Sequence, residues 1–361
     1  MSDAYTDAPI DGRSFVAGQA FITGAKSYWH TDLFPALTEE YKQAEKASAK
    51  PLETVDDVAE VMEHNTLYQY FAWCERYLQR YKYSGRYGLV PYYRQMRADT
   101  VELFKDIPED QLELNDDLDM PRYYESFDIH QHPGGVWSDV VSGLVYERAA
   151  STTTPLAGNR HADLHERFAD LLEQYSPAPK KVLEMACGFG KTTRALYNKY
   201  QDAEIEAIDL SGPCIQVGAL RAKESGARNV RFRQMDAAAT DYDDASFDLV
   251  TSSMLLHEMP PPYIEKTFEE AARVTKPGGE MVHLDFWYLP DLFRRFIHYT
   301  HGRRNNEPFM EPLAELDLPK LLEEKGFKDI KIEAFAETEG VLDPSFKSWR
   351  YPWTIIRATR A

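Results

Sequence analysis

Val182-Leu183-Glu184-Met185-Ala186-Cys187-Gly188-Phe189-Gly190, with Ile208-Asp209-Leu210 after it, decides the fold. An apolar run ends in an acid. A turn of small residues follows, and Lys191-Thr192-Thr193-Arg194-Ala195-Leu196 opens a helix. A second apolar run then ends in another acid. Glycines let the backbone approach a ligand because no Cβ stands in the way. The helix start directs free N–H groups and a positive dipole end at the same place. A carboxylate at the tip of the next strand can accept hydrogen bonds from both hydroxyls of a ribose. The pattern predicts a nucleoside-binding crevice.

Three loops share these features. A phosphate loop of the Walker type fits Gly190-Lys191-Thr192 but needs a glycine where the chain has Met185. A dinucleotide fingerprint fits Gly188 and Gly190 but needs a third glycine where Thr193 stands. The run from Glu184 to Gly190 instead resembles motif I of the class I S-adenosylmethionine-dependent methyltransferases. Later segments follow in that family's order: 230–237, 246–257, 273–279, 280–285, 321–335 and 353–359. The resemblance covers roughly residues 160–361, with one departure, Ala186 where the family commonly has glycine. It implies an α/β, Rossmann-like, mostly parallel seven-stranded sheet with helices on both faces.

The resemblance also implies S-adenosylmethionine as cofactor and assigns roles by position. Glu184 and the backbone of Ala186, Gly188 and Gly190 would hold the methionine part. Asp209 would take the ribose hydroxyls and Leu210 would pack on the adenine. Asp236 would accept the adenine amino group, with the Ala237 N–H facing a ring nitrogen. Ser253 falls just past a strand end on the same edge. For Asp209 the competing reading is a helix N-cap, and for Asp236 a solvated turn acid.

Methyl transfer is a direct displacement, so alignment of donor and acceptor supplies much of the acceleration. A base is needed only if the nucleophile starts protonated. His257, Glu258, His283 and Asp285 are the candidates, with His257 and Asp285 preferred as catalytic residues. His257 could equally cap a carbonyl. His283 and Asp285 share a strand face. The acceptor wall draws on residues 130–137, naming His132 and Trp137, and on Glu258. An insertion after the fifth strand of the family's order adds Trp287, Tyr288, Asn305 and Asn306. His130 and His132, two apart in an extended segment, point to one side, but no third ligand is near and no metal is expected. The expected acceptor is a small molecule with an oxygen or sulfur nucleophile. The competing function is a protein that binds the cofactor without transferring methyl.

The rest of the chain sets the frame. With 361 residues and 43% hydrophobic composition it can bury a large core. Formal charge −18 argues against nucleic acid. Cys74, Cys187 and Cys214 match no zinc spacing, and neither a secretory signal nor a membrane span is expected, so the chain reads as cytoplasmic. Residues 1–155 read as a mainly helical N-terminal domain, covering the acceptor pocket and suited to forming a homodimer. Residues 156–361 read as the cofactor-binding domain, joined through Ser151-Thr152-Thr153-Thr154-Pro155. Thr54 and Asp57 form a capping box, a helix runs from Val58 to Tyr83, and another covers Tyr92 to Lys105. Ten aromatics between Tyr68 and Tyr93 are expected mainly to pack helices.

Overall fold

The computed structural model describes residues 9–150, 160–287, 289, 291–336 and 353–361. The expected connection at 151–155 and Tyr288 lie outside these residues.

Eight strands form one sheet: β1 Leu112–Glu113, β2 Lys181–Met185, β3 Glu204–Asp209, β4 Val230–Gln234, β5 Phe247–Ser253, β6 Thr275–Phe286, β7 Phe327–Ala334 and β8 Trp353–Arg360. Their order is β1-β4-β3-β2-β5-β6-β8-β7. All neighbours run parallel except β6–β8 and β7–β8. The seven strands of the expectation are present, and β1 is an eighth. Two residues are too short for any alternation to register in sequence. β1 is held at the edge by Glu113, which accepts from Arg233 Nη2 at 3.0 Å and from Arg231 Nη2 at 2.5 Å.

Strand order reverses at β2, which pairs with β3 on one side and β5 on the other. Crossovers leave in opposite directions there, opening a crevice beyond the carboxyl ends. Apolar residues alternate across β2: Val182 joins the core on one face, Leu183 and Met185 that on the other. Helix Arg160–Tyr175 lays Leu164, Phe168 and Leu172, one turn apart, on the first of these cores. Each such side chain, all no more than 1% exposed, contributes about 1.5–3 kcal/mol by leaving water.

A helical layer covers the crevice. Helices Gly12–Tyr28 and Phe34–Ala47 are joined by a π turn at Trp29–Leu33. The single helix expected from 58 to 83 is two, Val55–Met62 and Thr66–Ser84. Apolar periodicity runs across the break, but Asn65 stops it: its side chain accepts from the Tyr68 N–H at 3.0 Å and caps a new helix. The Thr54–Asp57 capping box forms as expected. The helix expected over 92–105 is likewise two, Leu89–Arg94 and Arg97–Phe104. The layer also recruits distant chain. Helix Leu292–Asn305 puts Phe293, Phe296 and Ile297 into one core with Trp29, Phe34 and Phe71. Among the described residues no helix is long and apolar enough to cross a membrane.

Candidate active site

One cavity of about 200 Å³ lies between the strand ends and the helical layer. Its floor is the loop after β2. Ala186 sits at φ 54°, Gly188 at 55° and Gly190 at 80°, all left-handed. The two glycines serve different ends. Gly188 lines the cavity, and a Cβ there would meet only Tyr146, at 3.8 Å. Gly190 lies outside the lining; a Cβ there would press within 3.1 Å of the Gly218 backbone and 3.2 Å of Phe232. It lets the loop seat on its neighbours.

Ala186 holds a conformation that glycine adopts without cost. Ala186→Gly is expected to raise the unfolding free energy by about 1 kcal/mol, as read by urea titration. A fall would show that the methyl group packs better than the backbone is strained.

The acids gather as the strand ends require. Asp209 and Asp236 line the cavity; Asp209 accepts from the Gly188 N–H at 2.8 Å and the Ser211 N–H at 2.7 Å. Ser211, not Asp209, caps helix Gly212–Ser225. Burial pushes Asp209 up to about 6 despite those two bonds. Asp236 accepts from the Ala238 N–H at 2.8 Å. Leu210, Ala237 and Ser253 are on the wall. Glu184 is not. It lies wholly buried beneath the loop, accepting from Thr193 Oγ1 at 2.5 Å, with its Oε1 unpartnered among the described residues. Burial drives it up to about 8.

The sequence reading passed over Lys191. It lines the cavity at the helix start, and burial pushes it down to about 8.

The catalytic candidates form a pair. His257 lines the cavity, and its Nδ1 lies 2.7 Å from Asp285 Oδ1. Asp285 is wholly buried behind it and does not reach the cavity. Its remaining acceptor sites take the Leu256 N–H at 2.6 Å and the Phe286 N–H at 2.8 Å. The carboxylate therefore accepts from His257 Nδ1 and leaves Nε2 toward the cavity. Burial works against the imidazolium, but Asp285, helped by Glu258 and Glu307, outweighs it and raises the His257 pKa above the usual value. His283 turns into the sheet instead. Its Nδ1 meets Ser252 Oγ at 2.5 Å, and burial lowers its pKa to about 4.

The roof is a second polar cluster, largely unforeseen. His130 Nε2 lies 3.2 Å from Glu258 Oε1, and Nδ1 lies 3.0 Å from Glu307 Oε1. Burial disfavours a charged His130, yet the two carboxylates outweigh it and push it up to about 10. Glu307 is correspondingly held down to about 2, its burial more than offset by His130. Glu75 accepts from His301 Nδ1 at 2.5 Å and from Arg304.

Several acceptor-wall expectations need correction. The 130–132 segment is not extended; His130 and Gln131 take φ of 54° and 59°, so the histidines part. His132 stacks on Tyr83 with centroids 5.0 Å apart, away from the cavity. Trp137 folds beside Gly135 and does not line it, and Trp287 spends its Nε1–H on the Leu316 carbonyl at 3.1 Å. Asn306 is a left-handed helix C-cap bonded to the Asp128 carbonyl at 3.0 Å. Asn305 and Glu258 do line the cavity.

The chain is similar in sequence to known methyltransferases. Residues 182–279 match the methyltransferase domain family. A malonyl-[acyl-carrier protein] O-methyltransferase of Paenibacillus sp. is 26% identical over 198 residues, covering 51% of this chain and 71% of that protein. A demethylmenaquinone methyltransferase of Thermus thermophilus is 32% identical over 125 residues, covering 35% of this chain and 56% of that protein. The chain thus spans little more than half the length of the second. The solved structure of the YcgJ protein from Bacillus subtilis is 18% identical, with a TM-score of 0.43, covering 54% of this chain and 99% of that one.

Proposed function

Because this chain belongs to the class I S-adenosylmethionine-dependent methyltransferase superfamily, we propose that it methylates a small molecule whose oxygen or sulfur nucleophile starts protonated. One observation carries the reading: the His257–Asp285 pair opens into the same cavity as Gly188, Asp209 and Asp236.

The residues present fit the cofactor. Asp209 has two backbone partners, and a carboxylate has about four lone-pair sites, so two ribose hydroxyls can still be accepted. Asp236 and Ala237 offer an acceptor and a donor to an adenine edge. Lys191 makes no ion pair among the described residues and would suit the methionine carboxylate, while Glu184, buried beneath the loop, would support the methionine end from below. When bound, the cofactor supplies an electrophilic methyl group on a sulfonium.

The protein's own chemistry is proton removal and alignment. His257 Nε2 would take the proton from the acceptor as its oxygen or sulfur bonds the methyl carbon, whose bond to the sulfonium sulfur breaks with S-adenosylhomocysteine as the leaving group. Asp285 holds the imidazole in the tautomer that leaves Nε2 basic, and stabilises the imidazolium that results. His130 and Glu307 fix Glu258 beside it.

Calorimetry with S-adenosylmethionine tests the cofactor, and incubation with labelled cofactor and a metabolite extract tests transfer. Asp209→Ala is expected to weaken cofactor binding about tenfold or more, since a charge-assisted hydrogen bond contributes about 1.5–3 kcal/mol. Absence of binding by folded wild-type protein overturns the proposal, and tight binding without labelled product overturns its catalytic half.

A further inference from the structure

Lys26, in helix Gly12–Tyr28, is only 9% exposed, yet it lines the cavity from above. An ammonium carries three donors. Among the described residues Lys26 Nζ has one hydrogen-bond partner, the neutral Gln79 Oε1 at 2.7 Å. Gln79 is pinned in turn, donating Nε2–H to the His130 carbonyl at 3.1 Å.

The other charged roof residues that line the cavity are matched. Glu75, the carboxylate nearest in effect to Lys26, has one oxygen on His301 and the other on Arg304. His130 stands between Glu258 and Glu307, and His257 against Asp285. Among the described residues Lys26 forms no ion pair of its own. A buried charge without a partner costs several kcal/mol, and an arriving countercharge recovers part of it. Burial accordingly pushes Lys26 down to about 8, which still leaves it mostly protonated at neutral pH.

We infer that Lys26 is the binding point for a carboxylate carried by the methyl acceptor, separate from the atom that is methylated. This rests on the methyl-transfer reading. The cofactor's own carboxylate is met at the floor by Lys191, whereas Lys26 hangs from the roof beside Trp29, Leu78 and Tyr83. Those side chains offer apolar and aromatic surface to the body of an organic acid. The charge favours a monoanion. Among the described roof residues that line the cavity, a second negative charge would find no further unmatched cation, since Glu258 and Glu307 hold His130 and Glu75 holds His301.

The test uses full-length protein saturated with S-adenosylhomocysteine, titrated calorimetrically with acid–amide pairs. The probes are para-hydroxybenzoate with para-hydroxybenzamide, and phenylacetate with phenylacetamide. At least one acid is expected to bind about tenfold or more tighter than its amide. Lys26→Met should bring that acid down to the affinity of the amide, and Lys26→Arg should retain the preference. Affinity for S-adenosylhomocysteine should stay unchanged in both variants, which also reports that they fold. Equal binding of acid and amide, no binding of either acid, or a preference that survives in Lys26→Met overturns the inference. Failure of the wild type to bind S-adenosylhomocysteine overturns the methyl-transfer reading instead.

Discussion

Replacing His257 by alanine is expected to lower methyl transfer by roughly a hundred- to ten-thousandfold, the usual contribution of a positioned base. Affinity for S-adenosylhomocysteine should hardly change, because in the proposed arrangement the imidazole serves proton transfer and the adenosyl group would be held by the floor. The pH profile adds an independent reading. Only neutral His257 can take a proton, so turnover should rise with pH through one ionisation above the ordinary histidine value of 6.5, since Asp285 favours the charged form. Asp285→Asn removes that bias and should move the ionisation to lower pH, while reducing turnover because the tautomer is no longer enforced. Single-turnover rates across pH, on all three proteins, check both points. Unchanged turnover in His257→Ala would remove it as the base.

The second large effect concerns the roof. His130→Ala should cost about 3–5 kcal/mol of stability, the usual result of leaving one partner of a buried ion pair behind. Glu307, only 6% exposed, is that partner. The pair also dictates how stability changes with pH. Glu307 is depressed from 4.5 to about 2, so its contribution is complete above 4.5 and is lost as pH falls through about 2. His130 is raised from 6.5 to about 10, so its contribution is complete below 6.5 and is lost as pH climbs through about 10. The contribution of this pair is therefore complete between pH 4.5 and 6.5 and falls on either side. His130→Ala should show a smaller alkaline loss, keeping the part that Glu184 contributes as pH rises from 4.5 through about 8. Melting curves at several pH values decide it: an equal alkaline loss in both proteins would mean that the pair does not hold the roof.

The floor of the site could be read from the chain because its elements announce themselves locally. Each apolar run ends in an acid or a serine, and parallel strands all present those ends at one edge. Asp209, Asp236 and Ser253 therefore converge although they span three strands and their loops. Glu184 fitted the motif but sits one layer below the wall, because the chain turns at Ala186 before its side chain can emerge. The roof left no such trace. His130 and Glu307 are 177 positions apart, and no periodicity ties a turn histidine to an acid beyond a distant helix. The sequence names His132 for the acceptor wall and sets His130 on the same side of an extended segment; two left-handed residues part them, and His130 is the one that lines the cavity. Asn65 shows the same limit at smaller scale: hydrophobic spacing carried the eye through a helix break that one capping side chain enforces.

The roof's mixed ancestry also governs how the polypeptide matures. Trp29, Phe34 and Phe71 emerge early in synthesis, yet the residues that cover them, Phe293, Phe296 and Ile297, come some two hundred positions later. Until then the nascent chain carries an uncovered greasy face, the kind of surface that chaperones recognise and that aggregates when left alone. Any fragment ending before residue 292 keeps that face exposed permanently, so the entry half of this enzyme cannot be harvested as an independent module.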